Sequence, residues 1–241
     1  MKKDRFWEID FLRGIAIVMM VLFHLIYSLD YFNITEFNVG TGFWLYFARA
    51  TASIFILLVG ISLTLSFSRY KINPKFSKYV KRGLKIFSWG LIITLVTWIF
   101  LRESFVAFGI LHLIGVSIIL AYPFLRYKKL NLILGSTLLV IGLYLKQFTF
   151  SFNWLMWSGF IPQNYQTIDY FPILPWFGLV LIGIFIGKTL YKNHTRQFKF
   201  WNLEKVQFVN FFGFLGRHSL FIYLIHQPIL LFILYLLGFS L

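Results

Sequence analysis

Phe11-Leu-Arg13-Gly-Ile-Ala-Ile-Val-Met-Met-Val-Leu-Phe-His24-Leu-Ile-Tyr-Ser-Leu-Asp30-Tyr31 is an apolar run in which Arg13, His24 and Asp30 are the only acidic, basic or imidazole groups. As a helix it would be about 31 Å long, which matches a hydrocarbon core of about 30 Å. Lys2 and Lys3 upstream mimic the start of a signal peptide. The run is too long for one, however, and has no small-residue cleavage site, so it reads as a retained first span.

The rest of the chain repeats this pattern. Of 241 residues, 59% are apolar, 22% aromatic and only 13% charged, and the mean hydropathy is +0.76. A water-soluble domain averages roughly 25% charged, so this composition excludes one and requires a polytopic membrane protein. Six further stretches approach the length of a span: Phe43 to Phe67, Leu84 to Leu101, Phe105 to Leu125, Leu130 to Lys146, Phe171 to Tyr191 and Ser219 to Phe239. The expected fold is therefore all-α, one membrane domain over residues 1–241 with about seven transmembrane helices. The absence of cysteine rules out a disulfide framework, a thiolate metal site and a Cys nucleophile.

The net charge of +15 is a topology signal. Lys and Arg crowd the N-terminus, the second connection (Arg69 to Lys85), the fourth (Arg126 to Lys129) and the sixth (Lys188 to Arg217). Only Arg49, Arg102 and Lys146 of the 23 remain for the other side. The N-terminus is then cytoplasmic and the C-terminus outside, in a multi-pass protein of the plasma membrane whose basic face meets lipid headgroups rather than nucleic acid. The connection from Gln147 to Tyr170, rich in Trp and Phe, reads as an interfacial segment or a fold over the outer mouth. Gly183-Ile-Phe-Ile-Gly187 and the group Ala48, Ala52 and Ser53 read as helix-packing surfaces.

An ionisable group inside a span costs at least about 2.5 kcal/mol at its centre and needs a partner or a function. Asp10 and Arg13, three apart, can pair on one helix face. From Arg13 to His24 is three helical turns, about 16 Å, so both project the same way. That spacing suits a long ligand, such as an acyl-CoA, with its anionic end at Arg13 and its reactive end at His24.

The run Glu8-Ile-Asp10-Phe-Leu-Arg13-Gly-Ile-Ala-Ile resembles the opening of the heparan-alpha-glucosaminide N-acetyltransferase catalytic domain family, in its short microbial form. The similarity continues through Ala48 to Leu65, Gly109-Ile-Leu-His112-Leu-Ile-Gly115, and Asp169-Tyr-Phe-Pro172-Ile-Leu-Pro175-Trp-Phe-Gly178. It closes with Leu215-Gly-Arg217-His218-Ser219-Leu-Phe-Ile-Tyr223-Leu-Ile-His226-Gln-Pro228. Arg13, ten residues and His24 also resemble the Arg-x10-His pattern of the wider membrane acyltransferase-3 group. The resemblance implies transfer of an acyl group, acetyl above all, from cytoplasmic acetyl-CoA to an amino or hydroxyl group of a sugar or glycan outside. One departure stands out. Lysosomal members carry their proposed catalytic His in the loop after the first span and an Asn where this chain has His24. Residues 31–42 contain no His, so either the role falls to His24, as in the acyltransferase-3 pattern, or the mechanism differs.

Other candidates carry two readings each. Arg49, and Arg102 with Glu103, bind the acceptor or snorkel at the interface. His112 hydrogen-bonds the acceptor or packs. Asp30 and Asp169 orient a histidine or are loop acids. Ser219, Tyr223 and His226 share one face of the last span, which lines a pathway or the bundle interior. Lys81 and Arg82, within the inner basic run, grip CoA phosphates or set topology. No metal motif, phosphate loop or nucleophile elbow is present. The rival function is a small transporter with His and Arg along a proton or solute pathway, although no inverted repeat is evident. A homo-oligomer is left open.

Overall fold

The computed structural model describes residues 5–69, 74–102, 104–192, 194–199, 201 and 203–239. Lys2, Lys3 and Glu103, considered above, lie outside them, as do residues 70–73 of the second connection. The chain is mostly helical: α1 (Trp7–Tyr31), α2 (Gly42–Ser68), α3 (Phe76–Phe100), α4 (Ile110–Leu120), α5 (Lys129–Leu145), α6 (Ile173–Leu190), α7 (Gln207–Arg217) and α8 (Ser219–Leu236). A small hairpin, β1 (Tyr191–Lys192) with β2 (Thr195–Arg196), follows α6.

Helices α1, α2, α3, α6 and α8 are long and apolar enough to cross a membrane. The protein is therefore a multi-pass membrane protein built from helices. Two expected stretches come out shorter. The fourth, Phe105 to Leu125, is helical only over 11 residues, about 16 Å, and ends in a 3-10 turn at Pro123–Arg126. The fifth is 17 residues of helix, at Lys129–Leu145. The third runs the other way: its helix begins at Phe76, so Lys78, Lys81, Arg82 and Lys85 sit on the first turns of α3 and not in a connection. Hydropathy marks where lipid is, whereas a helix continues as long as its backbone bonds do.

The chain forms two compact units, Met1–Phe55 with Phe200–Leu241, and Ile56–Lys199. In the first, α1 packs on α7 and α8. Helix α7 was not expected from hydropathy, since it lies inside the last basic connection. Its Gly213, Gly216 and Val209 are buried, while Phe208, Phe211 and Phe214 are largely exposed. Two glycines set its distance from α1. A Cβ at Gly14 would strike the backbone of Phe212, and one at Gly216 would strike the backbone of Asp10. The two backbones therefore meet almost directly, flanked by Phe11 against Phe208 and Phe212.

In the second unit, α3 packs on α4, and α5 and α4 pack on α6. The expected small-residue surface of α6 does meet a neighbour. Gly183 lies on the backbone of Leu57 and Gly60, and Gly187 on Thr64. Thr64 Oγ1 donates to Gly60 O at 3.2 Å. The segment between α5 and α6 folds on itself through a short bridge of Phe150 with Pro162, a 3-10 turn at Met156–Ser158, and a cluster of Phe150, Phe152, Trp154 and Phe160. The Tyr170 hydroxyl ties it by donating to Met156 O at 2.6 Å.

Candidate active site

Within the first unit, α1 and α8 bring together the residues that bear chemistry. The His24 and His226 rings lie edge to face with centroids 4.8 Å apart. Each ring is fixed by its Nδ1 against a carbonyl of its own helix: His24 on Met20 O at 2.9 Å, His226 on Tyr223 O at 2.6 Å. A carbonyl only accepts, so both Nδ1 atoms carry the proton and both Nε2 atoms present a lone pair. His226 Nε2 is buried and meets no hydrogen-bond partner.

Two further residues complete the cluster. Gln227 Nε2 donates to Ser28 Oγ at 3.0 Å, and Ser28 Oγ donates to His24 O at 2.8 Å. This chain stitches α8 to α1 one turn beyond the histidine pair and leaves Gln227 Oε1 as a second buried acceptor without a donor. Neither residue was singled out in the sequence. The available signal was a hydroxyl four residues after His24 and an amide next to His226, both inside apolar spans.

Three turns before His24, Arg13 Nη1 pairs with Asp10 Oδ1 at 3.0 Å, as the i,i+3 spacing requires. This pair lies at the end of α1 where Gly216 of α7 rests on Asp10. Asp30, two residues beyond Ser28, points its carboxylate into its own loop. Oδ1 accepts from Asn38 N at 3.1 Å and Oδ2 from Val39 N at 3.4 Å. It orients no histidine; it closes the turn between α1 and α2. Arg49 is exposed near the start of α2.

The second unit holds the remaining candidates. His112 is 1% exposed, and both ring nitrogens are engaged: Gly109 N–H donates to Nδ1 at 3.2 Å, and Nε2 lies 3.4 Å from Thr94 Oγ1. Thr94 Oγ1 itself donates to Val106 O at 2.6 Å, so it can only accept from an Nε2–H. Phe87 and Phe108 enclose the ring. His112 is thus wired into the start of α4 with no atom left for an acceptor, which favours the packing reading of the two. Asp169 joins the same structure, with Oδ2 accepting Ile110 N–H at 3.2 Å. Burial pushes its carboxyl up to about 6, only partly offset by that N–H. Burial likewise raises Tyr165 and Tyr170 beside it. Lys81 and Arg82 lie on the first turns of α3, with Arg82 close to the buried Tyr79, and Arg102 is exposed after α3.

Comparison with known proteins yields one family. Neither the curated proteins nor the solved structures provide a match to the chain. The model of one family, "Heparan-alpha-glucosaminide N-acetyltransferase, catalytic", matches residues 5–228, a stretch that takes in Arg13, His24 and His226 and ends two residues after the second histidine. The chain therefore belongs to that family of membrane acetyltransferases.

Proposed function

We propose that this protein moves an acetyl group from cytoplasmic acetyl-CoA to an amino or hydroxyl group of a sugar or glycan at the outer face of the plasma membrane. The observation that carries the reading is the pair His24 and His226, two imidazoles whose Nδ1 protons are held by backbone carbonyls, which leaves the lone pair of each ring on Nε2. An acyl transfer needs such a lone pair, either to take the acceptor's proton or to receive the acyl group first. Family membership supports the acetyl group and the transferase class.

The donor end is assigned to Arg13. Its guanidinium is positioned by Asp10 about 16 Å along the helix from His24, a distance an extended pantetheine arm spans. Lys81 and Arg82 are further candidates for the CoA phosphates, and Arg49, Arg102, Glu103 and Asp169 for the acceptor. Seven crossings, with the N-terminus inside, place the basic connections with the donor. Helices α4 and α5 then cross with help from their flanking turns, as one domain with the five long spans.

The test is the melting temperature of the detergent-purified protein with and without acetyl-CoA. A ligand that binds only the folded state, at 100 times its Kd, stabilises it by about 2.7 kcal/mol. A clear rise that Arg13→Ala removes supports the donor site. No rise with any acyl-CoA chain length, together with proton-coupled flux in liposomes, would replace this reading with the transporter.

A further inference from the structure

We infer that His226 is a second catalytic residue, the base that takes the acceptor's proton while His24 carries the acyl group. The inference rests on the acetyl-CoA reading above and assigns the two imidazoles different work.

A transfer in one step, with the acceptor attacking the thioester directly, uses a single base. The α1–α8 cluster presents two. His226 is 7% exposed, its Nδ1 is committed to Tyr223 O, and its Nε2 has no donor facing it. Buried polar atoms in folded proteins are ordinarily satisfied, and an unsatisfied one beside a reactive residue is fitted to take a donor from a bound ligand. Gln227 Oε1, on the next residue, lacks a donor as well. Both vacant groups accept, so the ligand that completes them brings N–H or O–H donors. The acceptor has these at its reacting atom, whereas the thioester group of the donor does not.

The chemistry then divides in two. In the first step His24 Nε2 attacks the thioester carbonyl; the C–N bond forms, the C–S bond breaks and CoA leaves as thiolate. The cationic acylimidazolium on His24 is stabilised through its Nδ1–H on Met20 O. In the second, the acceptor nitrogen or oxygen attacks the acyl carbon as His226 Nε2 takes its proton. The C–Nε2 bond breaks and His24 returns neutral. The proton gained by His226 is the one the thiolate needs, so the sum is an acylated acceptor and CoA thiol. Gln227 Oε1 accepts a hydrogen bond from the acceptor and positions it. The centroid spacing of 4.8 Å makes the two rings direct neighbours, as a base acting on the acyl-bearing site requires.

The experiment follows exchange of label between CoA and acetyl-CoA without acceptor, and transfer to glucosamine or to hydroxylamine at about pH 7.5. It uses the detergent-purified full chain as wild type, His226→Gln and His24→Ala. Wild type should exchange label. His226→Gln should keep exchange within about threefold yet lose transfer to glucosamine by about 100-fold or more. It should recover transfer to hydroxylamine, which is largely unprotonated at that pH and needs no base. His24→Ala should lose exchange and transfer together. Transfer by wild type without exchange, or parallel loss of exchange and transfer in both His226→Gln and a still-folded His226→Asn, overturns the proposal. Failure of wild type to bind acetyl-CoA in equilibrium dialysis overturns the donor reading itself, and this one with it.

Discussion

Two histidine sites, built from the same kinds of groups, end in opposite states. At the start of α4, His112 has both ring nitrogens committed to the fold, a Gly109 N–H on one and Thr94 at the other, while Oδ2 of Asp169 takes Ile110 N–H. Between α1 and α8, His24 and His226 are fixed just as firmly at Nδ1, yet the buried Nε2 of His226 meets no hydrogen-bond partner. The lesson is one of accounting. A buried histidine with both nitrogens used stabilises a fold, whereas one with a single nitrogen used is oriented for something else.

The sharpest way to break this comparison is to remove one histidine from each site. His24→Ala should lower acetyl transfer by about 100- to 10,000-fold while the melting temperature stays close to that of wild type. Retention of more than a tenth of the activity would dissolve the distinction. His112→Ala should do the reverse, lowering stability by roughly 3 kcal/mol because it opens a cavity and strands Gly109 N–H, with kcat of the remaining folded protein little changed. A stable His112→Ala that has lost turnover would move His112 into the active site.

The helix that carries no predicted candidate offers the next test. Gly216→Val should force α7 off the backbone of Asp10, at a cost of about 1–3 kcal/mol or more, read as a fall in melting temperature. An unchanged melt would mean that α7 does not hold α1 in place.

Asp169 gives the comparison a pH axis. Its folded pKa, about 6, lies above the ordinary carboxyl value of 3.8, so between those values the folded state binds more protons than the unfolded one. Stability should therefore be highest near pH 4, fall as pH rises through 6, and level off above, over a range of up to about 3 kcal/mol. Asp169→Asn should flatten that slope in a denaturation series; a slope that survives belongs to another group. The smallest effect is expected at Ser28→Ala, which removes the tie from Gln227 and should cost about 1 kcal/mol and a modest part of kcat.

Much of the architecture was legible because lipid imposes a simple rule on composition. The five long helices fall on expected stretches, and the i,i+3 pair of Asp10 with Arg13 forms as its spacing demands. Helix α7 escaped because a hydropathy window averages an 11-residue helix with the basic loop around it. Its pattern of Phe208, Phe211, Phe212 and Leu215 at helical spacing was the signal to use. His24 was legible as a candidate from its register with Arg13, and His226 from the polar stripe on the last span. That the two meet was not, because contact between residues 24 and 226 depends on how distant helices pair, and local spacing carries no information about that. Asp30 shows the converse. An acid near a histidine in sequence looks like its partner until the loop backbone claims it.

The close seat of Gly14 on Phe212 and of Gly216 on Asp10 also has a meaning in time. A ribosome adding about 5–20 residues per second needs about 10–40 s to travel the roughly 200 positions between those contacts. During that interval the first helix is already made while its backbone partner does not yet exist, and its glycine groove lies open to whatever else the membrane holds. Biogenesis of this protein therefore calls for a temporary tenant in that groove, lipid or insertion machinery, that leaves when α7 arrives.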